Sequence, residues 1–599
     1  MIYHCEDHTC NYWDEGEKLP ERCPQCGRKL LRANEADMTG DDWTALGNTL
    51  WYAEASDKKR MVDCFRKAAY LGSAWGVCNL GICMEQGNGV EADPVQAFWL
   101  YQQAVEMGSL NAVCCLGVCY QYGIGTAPDA EKAAELYCKA AEYGSPRGQM
   151  LLARAFHDGI GVEADAAEAV HWVRAAAYQR YGEGMHRLGV CYAYGDGVEQ
   201  NWEHAVHWFR EAAESGVSVA MTDLGYCYEK GCGVEQSWEQ AFSWYRRGAE
   251  CGDLRSMNNL AYCYEHGEGV ELNEDRALYW YRRSAEGGNG DAMCNLGWCY
   301  KRGYGVEQNW QEAIKWYEQG AQCGNLQSMN NLAYCYERGE GVEQNEDRAL
   351  YWYRRGAEAG SVHCMFCLGW NYSNGVGVKQ NMTEAIRWYT AAAEGGNAAA
   401  MHSLGWHYDH GEGVEQDMKK AICWYERAAE QNRPAAMNSL GECYAMGRGV
   451  PRDLETAMEW YRRAAELGEA MADYNMGWHL EQAGKLSEAY AHYRKAADGN
   501  DDSAWWALGR FYENGVVVAQ DGKEARRCYE TGEKLGSVKC KMRLARCKLL
   551  GIGGRRAKKA GLDLCRQALE LAKESSEKED YGYEAEMNLL RRTIAENES

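Results

Sequence analysis

The chain has 599 residues, far more than one ordinary hydrophobic core serves, and its 46% hydrophobic and 25% charged residues are ordinary for a soluble globular protein. A formal net charge of -24 repels nucleic acid and anionic lipid, which excludes both as bulk partners. No apolar run approaches the roughly 20 residues that span a bilayer, and MIYHCEDHTC has no secretory pattern, so a cytoplasmic protein is expected.

The first element, residues 1–32, stands apart from the rest of the chain. Cys23-Pro-Gln-Cys26-Gly is a knuckle in which two thiolates, two residues apart, reach one metal while the glycine permits the turn. Cys5 and Cys10 complete a tetrahedral four-thiolate set for zinc, although four residues separate them where two are usual. His8 restores that spacing with Cys5 and is the substitute ligand; iron is the alternative metal. The module resembles a zinc ribbon or a rubredoxin-like knuckle pair. So short a segment holds no core alone, so the metal would supply its folding energy, and a closed four-ligand site reads as structural. Residues 33–42 read as a linker.

From 43 to 562 the chain repeats. A Leu followed by Gly or Ala recurs at Leu80, Leu116, Leu152, Leu188, Leu224, Leu260, Leu296, Leu332, Leu368, Leu404 and Leu440, always 36 residues apart. Seven residues after each Leu comes Gly-x-Gly, and twenty after it stands a Trp in nine of the eleven units, Trp172 to Trp460. In SMNNLAYCYEHGEG, Leu260, Cys263 and Tyr264 form one apolar helix face. Gly267 then ends this first helix, because glycine accepts the left-handed cap freely. Glu274 and Asp275 begin a second helix at its positive end, with Ala277, Trp280 and Tyr281 on its apolar face. Two such helices cannot bury their faces alone, so units must stack. Residues 217–288 and 289–360 look like a duplicated pair. The regular copies span 73–468. Leu46-Gly47 opens an atypical first unit, the step from Met476 to Leu508 shortens to 32, and Leu544 begins a degenerate last unit. Capping helices are expected over 563–599.

The pattern A-M-x-x-L-G-x-x-Y-x-x-G-x-G-V followed by A-x-x-W-Y-x-x-A-A-x-x-G resembles the Sel1-like repeat family, relatives of tetratricopeptide repeats. The resemblance covers roughly 38–555 of the chain. It implies an all-α, right-handed superhelical solenoid, here of about 14 helix-turn-helix units, whose first helices line the concave side. It implies adaptor or scaffold work in protein complexes, often bacterial, and no particular ligand. Some secreted cysteine-rich relatives bridge the helices of each repeat and are linked to β-lactams. This chain departs from them: its main cysteine column, Cys83, Cys119, Cys191, Cys227, Cys263, Cys299, Cys335, Cys443 and Cys547, has no partner column and reads as buried thiols.

The Trp column of the second helices is expected in the core. The position two after each Leu lies about 200° around the helix from it, and there stand Tyr226, Tyr262, Trp298, Tyr334, Trp370 and Trp406. Asn258 and Asn330 fall on the same side. Aromatic area with amides for a peptide backbone would make a recognition groove for a protein or peptide; the other reading packs these rings between successive first helices. Arg pairs such as Arg246-Arg247 and Arg282-Arg283 read as solvated ridges. Nine basic residues from Lys539 to Lys559, with no acid among them, read as a solvated capping face or as a dock for an acidic partner or, head to tail, another copy of the chain. The Gly-x-Gly repeats end helices rather than follow strands, so they are not nucleotide loops, and no catalytic motif is found: the expectation is a scaffold, not an enzyme. The competing readings are a β-lactam-binding or hydrolysing enzyme and a secreted host-factor or immunoglobulin binder.

Overall fold

The computed structural model describes residues 2–5, 13–15, 30–33, 38–51, 57–578 and 584–598. Strands β1 (Ile2–Cys5), β2 (Trp13–Glu15) and β3 (Leu30–Ala33) form an antiparallel sheet in the order β2-β1-β3. Of the expected metal ligands, Cys10, Cys23, Cys26 and the substitute His8 lie outside the described residues, while Cys5 ends β1, where its register partner is Leu30. Among the described residues every later element is a helix. The expected linker 33–42 is entered by β3 at one end and by a helix from Gly40 at the other, whose start is fixed by a reciprocal cap between Thr39 and Asp42.

The chain divides into two compact units, Met1–Asn309 and Trp310–Ser599. The first holds seven helical hairpins, from Gly40–Thr49 with Lys58–Tyr70 to Leu254–His266 with Glu274–Glu286, and then the helix Gly290–Arg302. The second begins with Trp310–Gln322, continues through seven hairpins from Leu326–Arg338 with Glu346–Glu358 to Val538–Leu550 with Lys558–Lys578, and ends in Glu584–Glu598. Within each unit successive hairpins stack as in an α–α solenoid, so the core is a ribbon of small clusters rather than one centre.

One hairpin explains the rest. The Asp253 carboxylate accepts from the Ser256 amide and caps the first helix, and Gly267, in the left-handed region, closes it. The Asn273 amide N–H then donates to the Tyr264 carbonyl at 2.9 Å, and the Asn273 side chain caps the second helix through Arg276 N at 2.9 Å. The glycine after the Leu is where the two helices touch: a Cβ on Gly225 would lie 2.5 Å from the Tyr245 ring. Gly269, the second of its Gly-x-Gly, meets the preceding hairpin, and a Cβ there would lie 2.2 Å from the Trp238 carbonyl oxygen.

Gly269 also has φ +71°, so Gly269→Ala carries both a backbone and a packing penalty. It is expected to cost about 2–4 kcal/mol. Gly288→Ala, with φ +101° but open space around it, should carry the backbone term alone. Urea unfolding midpoints of the two variants separate the terms, and equal shifts would remove the close approach as the reason for the second glycine.

The Trp column sits differently from expectation. Of its nine members only Trp244 is buried and the others are half-buried, while the Tyr that follows, as in Tyr245, Tyr281, Tyr425 and Tyr461, is almost wholly enclosed. The position itself is the central one, since Phe209 is as buried there, and the tyrosine hydroxyls find partners in the first helix: Tyr245 to Glu229 at 2.7 Å, Tyr281 to Glu265 at 2.5 Å, Tyr353 to Glu337 at 2.9 Å. The Arg pairs are exposed ridges, as expected, and they also make contacts. Arg282 donates to the Tyr300 hydroxyl of the next first helix at 2.8 Å, and Arg247 lies 4.2 Å over the Trp244 ring, as Arg427 and Arg463 do over Trp424 and Trp460. The main cysteine column is buried as expected, and burial pushes thiols such as Cys263 and Cys299 up to about 12.

Candidate functional site

The side of the first helices that carries the position two after each Leu is partly open. In the first unit Tyr226, Tyr262 and Trp298, and in the second Tyr334, Trp370 and Trp406, keep between 37% and 46% of their surface exposed. Trp478, which the sequence pattern hides because its unit has Met476 in place of Leu, continues the column in the second unit. So the rings are neither buried between helices nor fully free. Tyr226, Tyr262, Tyr334 and Trp406 each lean on a basic residue one turn later.

The Lys230 ammonium lies 6.0 Å from the Tyr226 ring centre, His266 stacks on Tyr262 at 4.1 Å, Arg338 covers Tyr334 at 5.4 Å and His410 stacks on Trp406 at 4.4 Å. Arg302 occupies the same place after Trp298, and the Asn374 amide donates to the Trp370 carbonyl at 2.9 Å. A ring one helical turn from a base is a pair that the 3.6-residue repeat brings onto one face. It holds the aromatic in a fixed pose and leaves its outer side for contact. The second member of the pair was legible in the sequence four residues on; its signal is a column of mixed residue types, Lys, His and Arg, which a search for identity overlooks.

Asn258 and Asn330 are half-buried beside this stripe. Asn258 accepts from the Asn295 amide at 3.0 Å and donates to Asn259 at 3.3 Å. Asn331, beside Asn330, accepts from Gln327 at 3.1 Å. The Asn258–Asn295 contact belongs to a ladder of rungs, 37 residues apart, that ties one first helix to the next: His186 to Asp223 at 2.7 Å, His402 to Ser439 at 3.2 Å, Asn475 to Asn438 at 3.0 Å. The amide of Asn258 therefore works first as a spacer between helices.

Two cavities open elsewhere in the first unit. One of about 340 Å³ has an apolar floor of Val170, Val173 and Met150 and a charged rim. There His157 stands between Asp158 at 2.6 Å and Asp196 at 3.3 Å, Arg154 faces Asp158 and Arg187 faces Asp196. Each rim acid thus already faces a base. The other, of about 1210 Å³, is bounded by the first-helix starts at Ser73, Ser109 and Ser145 together with Asp41, Asn48 and the half-exposed Trp75. Those three serines cap their own helices through Gly76, Ala112 and Gly148.

The basic stretch at the carboxy-terminal end is largely taken up internally. Arg543 forms a two-pronged pair with Glu586 of the last helix, at 2.7 Å on both prongs, and Arg543 and Arg546 both face Glu513. Arg556 donates to Asn597 at 2.7 Å and Lys539 lies over the Trp506 ring. Arg555, Lys558 and Lys559 are left on the surface. Among the described residues no helix is long and apolar enough to cross a membrane.

The chain is similar to the protective antigen c5321 of uropathogenic Escherichia coli strains, which displays an SLR fold: 33% identity over 75% of this chain and 97% of that one, with a TM-score of 0.47. It is also similar to a Sel1 repeat protein from Oxalobacter formigenes, with 30% identity over 41% of this chain and 96% of the other, and a TM-score of 0.38. No curated protein matches it. Thirteen segments match the Sel1 repeat: 76–109, 112–145, 146–181, 182–217, 218–253, 254–289, 290–325, 326–361, 362–397, 398–432, 434–469, 470–501 and 504–537. The chain belongs to the Sel1 repeat family.

Proposed function

We propose that this chain is a cytoplasmic protein-interaction scaffold that takes an extended peptide segment along the aromatic and basic stripe of its first helices. Sel1 repeat solenoids commonly serve as such scaffolds. The observation that carries the specific reading is the column of half-exposed rings from Tyr226 to Trp298 and from Tyr334 to Trp406, four of them backed by a base one turn on. Exposed aromatics repeated at one position in successive units exceed what a solvated face needs. Asn258 and Asn330 border the stripe and would contact the peptide backbone from its edge. The basic end is the weaker docking candidate, because the last helix absorbs Arg543 and Arg556 and Glu513 absorbs Arg546. The test is affinity capture with the wild type and with a Trp370→Ala/Trp406→Ala variant of unchanged helicity. Partners held by the first and lost by the second support the stripe; the same partners on both refute it.

We also propose a structural zinc at Cys5, Cys10, Cys23 and Cys26. Four thiolates suit tetrahedral zinc, and the antiparallel register sets Cys5 opposite Leu30, four residues beyond Cys26, so the strand leaving the knuckle returns to the end of β1. Metal analysis of the intact protein, purified without chelator, should find stoichiometric zinc that Cys23→Ser/Cys26→Ser abolishes. A metal-free wild type, or a variant that keeps its zinc, would end this assignment.

A further inference from the structure

One rung of the ladder between first helices is built from two thiols. Cys78 and Cys115 stand 37 residues apart, in the register that brings the His186–Asp223 and Asn258–Asn295 rungs into contact across successive first helices. Both are buried. Yet solvent is close to Cys115, whose sulfur accepts from the Arg147 guanidinium at 3.7 Å, a side chain that itself reaches the surface. The His186–Asp223, Asn258–Asn295, His402–Ser439 and Asn438–Asn475 rungs pair groups that cannot be joined in this way.

We propose that Cys78 and Cys115 are a redox-active dithiol, which a hydroperoxide converts into a disulfide tying the helices Ala74–Gln86 and Leu110–Tyr122 together. Cys115 is the attacking sulfur. Its thiolate is favoured by the neighbouring Cys78 thiol and by the Arg147 cation, which hold its proton affinity below that of an ordinary cysteine, while Cys78 is pushed the other way by its Cys115 neighbour and by burial. The nearby Cys83 and Cys119 have no such cation, and burial raises both to about 12.

The chemistry balances in two steps. The Cys115 thiolate attacks the outer peroxide oxygen; an S–O bond forms, the O–O bond breaks, and the alkoxide or hydroxide that leaves takes up a proton. Cys115 is then a sulfenic acid, oxidised by the two electrons the peroxide has gained. The Cys78 sulfur attacks that sulfenic sulfur; the S–S bond forms, the S–O bond breaks, and the departing hydroxide leaves as water with the Cys78 proton. The sum is two thiols and one hydroperoxide giving a disulfide, an alcohol or water, and water.

Hydrogen peroxide is the probe, applied to the reduced full chain, followed by alkylation under denaturing conditions and peptide mapping. A Cys78–Cys115 bridge, seen as the loss of two hydrogens, should accumulate while Cys83 and Cys119 stay reduced. In Cys78→Ser the sulfenic acid on Cys115 should persist and be trapped by a cyclic 1,3-dione. Arg147→Ala should slow bridging about tenfold and Arg147→Lys should restore most of the rate. The proposal is overturned if Cys78 and Cys115 remain as reduced as Cys83, if the bridge instead joins Cys114, or if Arg147→Ala bridges at the wild-type rate.

Discussion

Tyr281→Ala is expected to lower stability by about 3–5 kcal/mol, with the damage confined to its own hairpin and the two beside it. The ring is fully buried between the helices Leu254–His266 and Glu274–Glu286, and its hydroxyl donates to Glu265 at 2.5 Å. Truncation therefore leaves a cavity and also strips a carboxylate that is itself mostly enclosed of its donor. Tyr281→Phe keeps the ring and isolates the second cost, about 1–3 kcal/mol. Trp280→Ala, one residue earlier, removes a half-buried ring covered by Arg283 at 5.5 Å and should cost less than either the Ala or a comparable core truncation. In a solenoid each unit contacts only its neighbours, so the loss is local. Hydrogen exchange should quicken across 218–302 and stay slow in hairpins two or more repeats away. Uniform loss of protection along the chain would contradict nearest-neighbour stacking, and equal effects of Phe and Ala would assign the energy to the hydrogen bond rather than to packing.

That ordering of Tyr281 above Trp280 marks where the sequence stopped being legible. The two side chains are neighbours on one apolar stripe, and periodicity alone ranks the larger Trp as the core residue. The packing of the second helix against the first instead puts the next position inside, where Phe209 is buried too, and the tyrosines add a polar contact sixteen residues back, Tyr281 to Glu265, Tyr245 to Glu229, Tyr353 to Glu337. Single-helix patterns carried the rest well: Leu260 and Cys263 are buried, and Gly267 caps the first helix. Contacts between units were the blind spot. The rungs at 37 residues use His, Asn, Cys and Ser interchangeably, because the geometry asks only for two short polar side chains that meet. The Arg pairs are exposed as expected, but the partner of Arg282, Tyr300, lies in the following repeat, eighteen residues away. The metal module rests on spacing alone in its knuckle, since Cys10, Cys23 and Cys26 lie outside the described residues.

Removing two rings of the stripe, Trp370→Ala with Trp406→Ala, is expected to weaken partner binding by two orders of magnitude or more while leaving the fold in place. An interface aromatic that becomes fully enclosed on binding is worth about 2 kcal/mol or more when truncated, and about 1.4 kcal/mol is tenfold in affinity. The same rings keep about two fifths of their surface in contact with water in the free chain, so the stability they supply is small beside that of Tyr389 or Tyr425 beneath them. Their helices, Val362–Asn374 and Ala398–His410, are capped by Ser361 and Asn397 and closed by Gly375 and Gly411, none of which the substitutions touch. Tyr351, half-exposed on a second helix of the same unit, is the control: Tyr351→Ala should change affinity less than twofold if position rather than general stickiness matters. The bases add a second reading of the same surface. Arg338→Ala removes the cation over Tyr334, and if the partner brings carboxylates to the stripe, this variant binds more weakly and with a shallower salt dependence than the wild type. If affinity falls with the rings but not with Arg338, the bases serve only to hold the aromatics in place. If it falls with neither, the rings are not a docking surface and the partner, wherever it binds, is read by some other face.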